Sequence, residues 1–187
     1  TCALPISVIE SLDPDKIYFI PIAIADATPY PIVKKKGNAL LQIQKKNKYT
    51  SSAEPASYNA SGYEGSGYFV ITKTMVPLTK NRVRINIGTK RLPAEPENQP
   101  DFIKKNTIVI EVADDNSLTV EPYDPEEMEV ETVDVKVAHP GDNAYALYNN
   151  RLDPTTTTFC VCYKYRLKTG SWTEVREAIR LPVIVIE

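Results

Sequence analysis

Apolar and polar positions alternate along this chain with a period of two. Phe159, Val161, Tyr163, Tyr165 and Leu167 fall on one side of a strand, and Cys160, Cys162, Lys164 and Arg166 on the other. Val83, Ile85 and Ile87 alternate with Arg82, Arg84 and Asn86 in the same way. A strand sends successive side chains to opposite faces, so the pattern predicts sheet with one dry and one wet side. Strands are predicted over 16–25, 38–44, 68–76, 82–88, 107–113, 118–123, 128–138, 158–167 and 172–181. Tight turns are expected at Asp114–Ser117 and Lys168–Ser171. Within 128–138 the apolar parity switches, from Met128 and Val130 to Val133, Val135 and Val137. One inserted residue does that, so a β-bulge is expected near Thr132, returning all five side chains to one side. Residues 91–101 read as a Pro-rich loop, 51–66 as a Ser/Gly-rich linker, and 142–151 as the one helical turn. Short strands at regular spacing predict an antiparallel meander that closes as a barrel or packs as a sandwich.

Composition sharpens this picture only slightly. Fifteen prolines and seven glycines suit strands and turns. An apolar fraction of 42% in 187 residues is enough for a buried core. The charge is balanced, 22 basic against 24 acidic residues, which argues against nucleic acid or an anionic membrane as partner. No apolar run reaches the roughly 18 residues of a spanning helix.

Candidate chemistry is sparse. Cys160 and Cys162 are neighbours on one face of a strand, poorly placed for a mutual disulfide, and the single histidine, His139, does not complete a metal site with them. We expect reduced thiols, no metal and no cofactor. His139 has no nucleophile motif around it, and Glu129 and Glu131 lie on the outward face of their strand, where a solvated face is the simpler reading than a hydrolytic pair. The 11 tyrosines reflect either β-propensity or an adhesive, glycan-binding surface. Trp172 follows a hairpin turn, where it either caps the core or offers a flat platform to a sugar ring. Tyr145 and Tyr148, beside Asn149, Asn150 and Arg151, either plug the end of the fold or join such a site. Thr1–Ile6 matches the translation of a common sequencing-adaptor oligonucleotide, so we expect residues 1–7 to be foreign to the protein and the native N-terminus to be missing.

Two stretches resemble paired domains of a family of Bacteroidetes surface lipoproteins long described as of unknown function. Tyr18-Phe19-Ile20-Pro21, Leu41-Gln42-Ile43 and Asn47-Lys48-Tyr49 are similar to the end of its immunoglobulin-like N-terminal domain. Gly67 through Arg82–Ile85 to Phe159–Tyr165 and Trp172–Glu177 is similar to its C-terminal β-barrel domain. The resemblance implies an all-β chain: a partial immunoglobulin-like sandwich over 8–50, a linker over 51–66 and an antiparallel, lipocalin-like barrel over 67–187, with a β-sandwich as the alternative. It implies a location on the cell surface at the outer membrane, lipid-anchored in the full-length protein, and no catalytic residues. The expected function is a non-enzymatic module assisting polysaccharide capture. Trp172, Tyr145 and Tyr148 are its candidate contacts, and other outer-membrane glycan-uptake proteins its candidate partners. A structural or adhesive surface protein without a small ligand is the alternative.

Overall fold

The computed structural model describes residues 11–14, 16–23, 38–43, 45, 47–50 and 56–181. Residues 1–7 and the C-terminal end of the first predicted strand lie outside the described residues. The chain divides into two units, Thr1–Lys45 and Lys46–Glu187. In the first, β1 (Tyr18–Ala23) pairs antiparallel with β2 (Asn38–Ile43), with Pro21 opposite Leu40. Phe19, Ile20, Ile22, Leu40 and Leu41 are all exposed, since among the described residues no second layer covers either face of the two-stranded ribbon.

The second unit is a nearly closed antiparallel barrel. Its strands are β3 (Ala56–Glu64), β4 (Gly67–Pro77), β5 (Arg82–Asn86), β6 (Thr107–Val112), β7 (Leu118–Pro122), β8 (Met128–Thr132), β9 (Arg151–Asp153), β10 (Thr158–Leu167) and β11 (Thr173–Arg180). They run in the order β7-β6-β5-β4-β3-β11-β10-β8, and β9 pairs with the other end of β10 on the same edge as β8. The seam between β7 and β8 is stitched by one side chain. The Thr132 hydroxyl accepts from the Val120 N–H at 2.8 Å and donates to the Val120 carbonyl at 3.1 Å. Beside it, the Leu118 N–H donates to the Asn150 carbonyl and the Leu152 N–H to that of Asn116, both at 2.9 Å. These bonds leave little of the sheet edge unpaired.

The inward face carries the apolar set that the alternation predicts. Tyr58, Met75, Ile85, Ile108, Phe159, Tyr163 and Ile179 are almost fully buried, and each such side chain contributes about 1.5–3 kcal/mol. Tyr49 joins them, edge-on to Phe159 at 5.3 Å between centroids. Its partner in the Asn-x-Tyr motif, Asn47, donates to the carbonyls of Thr79 and Arg82 and accepts from the Tyr49 N–H. The motif expected to end the first domain therefore belongs to the barrel.

The structure departs from the sequence reading in four further places. Residues 56–64, expected as linker, form β3: its inward positions are Tyr58, Ala60 and Gly62, two of them too small to signal an apolar face. No bulge follows β8. The strand ends at Thr132, and Asp134 caps a helical turn, Val135–Ala138, by accepting from the N–H groups of Lys136 and Val137. Val133 and Val135 are buried in a second apolar cluster away from Met128, and Val137 is 77% exposed. Residues 96–98 form a 3-10 turn leading into α1 (Gln99–Asn106), with proline in its first turn, where a missing N–H costs nothing. The segment 142–151, expected as a helical turn, is instead a run of turns ending in β9.

Candidate functional site

Paired residues on neighbouring antiparallel strands point to the same face, so the register converts the sequence into rows across the outer wall of the barrel. One row reads Arg151, Cys160, Ala178, Ser61, Val70 across β9, β10, β11, β3 and β4. The next reads Asp153, Thr158, Arg180, Asn59, Thr72. Small side chains occupy the middle of the first row and longer ones its ends. The result is a trough of about 680 Å³ roofed by Ala146, Leu147 and Asn149 from the turns of 142–150. Its floor is apolar and its rim offers amide, hydroxyl, guanidinium and carboxylate groups. Val70 and Leu147 are 67% and 57% exposed at one end. A second cavity, about 640 Å³, lies on the other side of the same turns, bounded by Asp134, His139, Asp142 and Asn150.

A third row reads Cys162, Arg176, Tyr63, Tyr68. Here the outer face, expected to be wet, is covered. Cys162 is fully buried under Val133, Val135 and Tyr148, and burial pushes its thiol up to about 12. Cys160 is also buried, and both thiols are free. The Arg176 guanidinium is held between the rings of Tyr63 and Tyr145, at 4.4 and 4.1 Å from their centroids. The Tyr145 ring also stacks on His139, and its hydroxyl donates to Glu174 Oε1 at 2.8 Å. Burial, then the hydrogen bond to the Glu174 carboxylate, push the Tyr145 phenol up to about 12. His139 Nε2 lies 3.1 Å from the second oxygen of Glu174.

Tyr145 and Tyr148 thus come together, and both anchor the roof of the trough: Tyr148 is 8% exposed and Tyr145 is half-buried between a histidine and an arginine. Trp172 is elsewhere on the outer wall. Lys164 and Arg166 each lie 4.8 Å from its ring, and these cations pair with Glu131 and Glu129 at 2.7 and 2.6 Å. The acidic strand is therefore outward, as its alternation predicts, and it is matched by basic residues rather than only solvated. Trp172 belongs to neither apolar cluster.

The sequence reading did not single out Tyr68. It is 63% exposed, on the same face of β4 as Val70 and one row from the trough, with its ring edge-on to Tyr63 at 5.2 Å. The signal was its parity: Tyr68 alternates with the buried Phe69, so its ring had to face out.

The barrel interior is filled rather than hollow, and it contains an ion pair. The Lys73 ammonium, on β4, pairs with Glu177 of β11 and donates to the Asn86 carbonyl at 2.9 Å. The Tyr163 hydroxyl donates to Glu177 Oε1 at 2.9 Å and accepts from the Gly88 N–H at 3.3 Å. Nearer the end of the barrel, Glu64 accepts from the hydroxyls of Tyr165 and Thr89, both at 2.8 Å. Burial opposes ionisation of Glu64, but these hydrogen bonds and the nearby Lys90 charge outweigh it and hold its carboxyl below the ordinary value. Two carboxylates, Glu64 and Glu177, therefore lie on the inward side of the neighbouring strands β3 and β11. Glu177 is fully buried and already bonded to Lys73 and Tyr163, so it is a structural group.

A family model described as "-like, C-terminal" matches residues 37–180, and the chain belongs to that family. Among solved structures, a protein of unknown function from Bacteroides ovatus aligns with 81% of this chain and 47% of its own, at 12% identity and a TM-score of 0.46. A second from the same organism aligns with 87% and 57%, at 15% identity and a TM-score of 0.43. An auxiliary nutrient binding protein from Bacteroides thetaiotaomicron aligns with 87% and 56%, at 11% identity and a TM-score of 0.42. This chain spans about half the length of these structures. No curated protein matches it.

Proposed function

We propose that this chain is a non-enzymatic module that captures polysaccharide at the bacterial cell surface, using the outer wall of its barrel rather than the interior. The observation that carries the reading is the trough over the rows of Ser61 and Asn59, with Tyr68 and Val70 exposed beside it. A pyranose has an apolar face and a rim of hydroxyls. The trough pairs small apolar floor residues with Asn59 and Asn149, which read hydroxyls by hydrogen bonding, and the exposed Tyr68 ring stands one row away. An open trough across five strands admits a polymer from its side, where a closed cavity would admit only its end. Tyr145 and Tyr148 hold the roof, and Trp172 braces the β10–β11 hairpin between two cations.

The resemblance of the sequence motifs supports the setting: an outer-membrane protein, lipid-anchored in full length, working beside other glycan-uptake proteins. In that setting β1 and β2 are strands of an immunoglobulin-like domain. A glycan array followed by calorimetric titration tests the reading. Tyr68→Ala is expected to weaken binding roughly tenfold, the loss of one stacked ring, with an unchanged circular dichroism spectrum because the side chain is exposed. Trp172→Ala is expected to leave affinity unchanged. Absence of binding to any polysaccharide overturns the proposal and favours the adhesive alternative.

A further inference from the structure

We infer that the trough selects glycans bearing an acid group, a carboxylate or a sulfate ester, held between Arg180 and Arg151. This rests on the glycan-capture reading and narrows it. Arg180 stands on β11 between Thr158 and Asn59, in the outermost row of the trough. Its side chain is exposed, and no described residue forms an ion pair with it. Several basic side chains of the neighbouring strands are, by contrast, partnered. Arg82 pairs with Glu121, Lys164 with Glu131 and Arg166 with Glu129, while Arg176 is sandwiched between tyrosines.

Arg151 lies on β9, across β10 from β11 and one row away. The strand separation is two spacings, about 10 Å, a gap that two long side chains converging on one ligand can close. One Arg151 donor is used by the Asp115 carbonyl at 2.7 Å, and the Arg151 charge also acts on the exposed Asp115 carboxylate, so Arg180 is the less compensated cation of the two. Asp153 is the one acid lining the trough, and its oxygens are taken: Oδ1 by the Thr155 N–H at 2.9 Å and Oδ2 by the Thr156 hydroxyl at 2.7 Å. Two cations against one anion give the trough a positive lining on a chain whose formal net charge is −2. Guanidinium presents paired N–H donors that match the two oxygens of a carboxylate or sulfate. A neutral sugar cannot use that charge.

The test is calorimetric titration of the full chain with polygalacturonate and its fully methyl-esterified form, and with a sulfated galactan and its desulfated form. The acid forms are expected to bind at least about tenfold more tightly, the scale of a charge-assisted hydrogen bond. The preference is expected to shrink between roughly 0.05 and 0.5 M salt as the charges are screened. Arg180→Gln is expected to remove most of the acid preference, weakening acid binding by several-fold more than neutral binding, and Arg180→Lys to keep a larger part of it. Which pair discriminates identifies the acid. Equal binding of acid and neutral forms overturns the selectivity and leaves glycan capture standing. Equal loss of acid and neutral binding in Arg180→Gln also overturns it, since Arg180 would then be general support. No binding to any of the four overturns both.

Discussion

At the scale of single residues, the buried Lys73–Glu177 pair separates what parity reveals from what it does not. Lys73 alternates in phase with Phe69 and Met75, and Glu177 with Val175 and Ile179, so both charges could be placed inside from sequence. That they meet could not, because 104 residues separate them and only the pairing of β3 with both β4 and β11 brings those strands within two of each other. Burial pulls the Lys73 ammonium down from its ordinary value, against the attraction of Glu177. Lys73→Met is therefore expected to cost about 3–5 kcal/mol, because it strands a carboxylate in the dry interior. Lys73→Met with Glu177→Leu should recover most of that loss, since two apolar side chains need no partner. Urea denaturation of the three proteins measures both effects. Equal stability of Lys73→Met and the parent protein would mean that water reaches Glu177.

At the scale of elements, strong alternation was legible and weak alternation was not. The strands rich in large apolar residues lie where the pattern puts them, β5, β6, β7, β10 and β11 among them. β3 was hidden because its inward face is small, and the smallness has a cause. Gly62 is opposite Glu177, and a Cβ there would lie 2.0 Å from the Arg176 carbonyl oxygen and 2.7 Å from Glu177 Cα. Gly62→Ala must push β3 away from β11, along the strand that carries the floor of the trough. A loss of about 1–3 kcal/mol is expected, read as a lower thermal midpoint, together with weaker glycan binding. An alanine variant as stable as the parent would show that the two strands are not so closely apposed. The same scale explains the bulge that does not occur. Val133 and Val135 change parity because the strand ends at Thr132: the Val133 N–H makes a last bond to the Cys162 carbonyl at 2.9 Å, and both side chains pack on the outer face of β10, with Cys162. A parity switch at a strand end and one within a strand look alike in sequence. The candidate site suffers from the same ambiguity. Its trough is a product of strand register, and register is set by pairings that span the whole chain.

At the scale of the molecule, the question is where the folding unit begins. The sequence motifs put the boundary after Tyr49, but Tyr49 is 4% exposed in the barrel core, and its carbonyl accepts the Tyr58 hydroxyl at 2.8 Å. Burial raises the Tyr58 phenol to about 12, so this hydrogen bond persists across the neutral range. The Asn47 side chain adds donations to the carbonyls of Thr79, in the β4–β5 connection, and of Arg82, at the start of β5. Residues 47–49 therefore act as a hook that closes one end of the barrel, supplying an aromatic plug and further donors to the carbonyls of the β4–β5 turn. The ribbon of β1 and β2, by contrast, leaves its apolar side chains exposed and contributes little burial within its own unit. A chain shortened to residues 46–187 is accordingly expected to unfold at the same denaturant midpoint as the full chain. One shortened to 51–187 is expected to lose about 3–5 kcal/mol, the scale of deleting a buried aromatic. Far-ultraviolet circular dichroism along a urea series distinguishes the two. If the 46–187 chain were as destabilised as the 51–187 chain, the hook would not be what closes the barrel, and the ribbon would have to be counted as part of the fold.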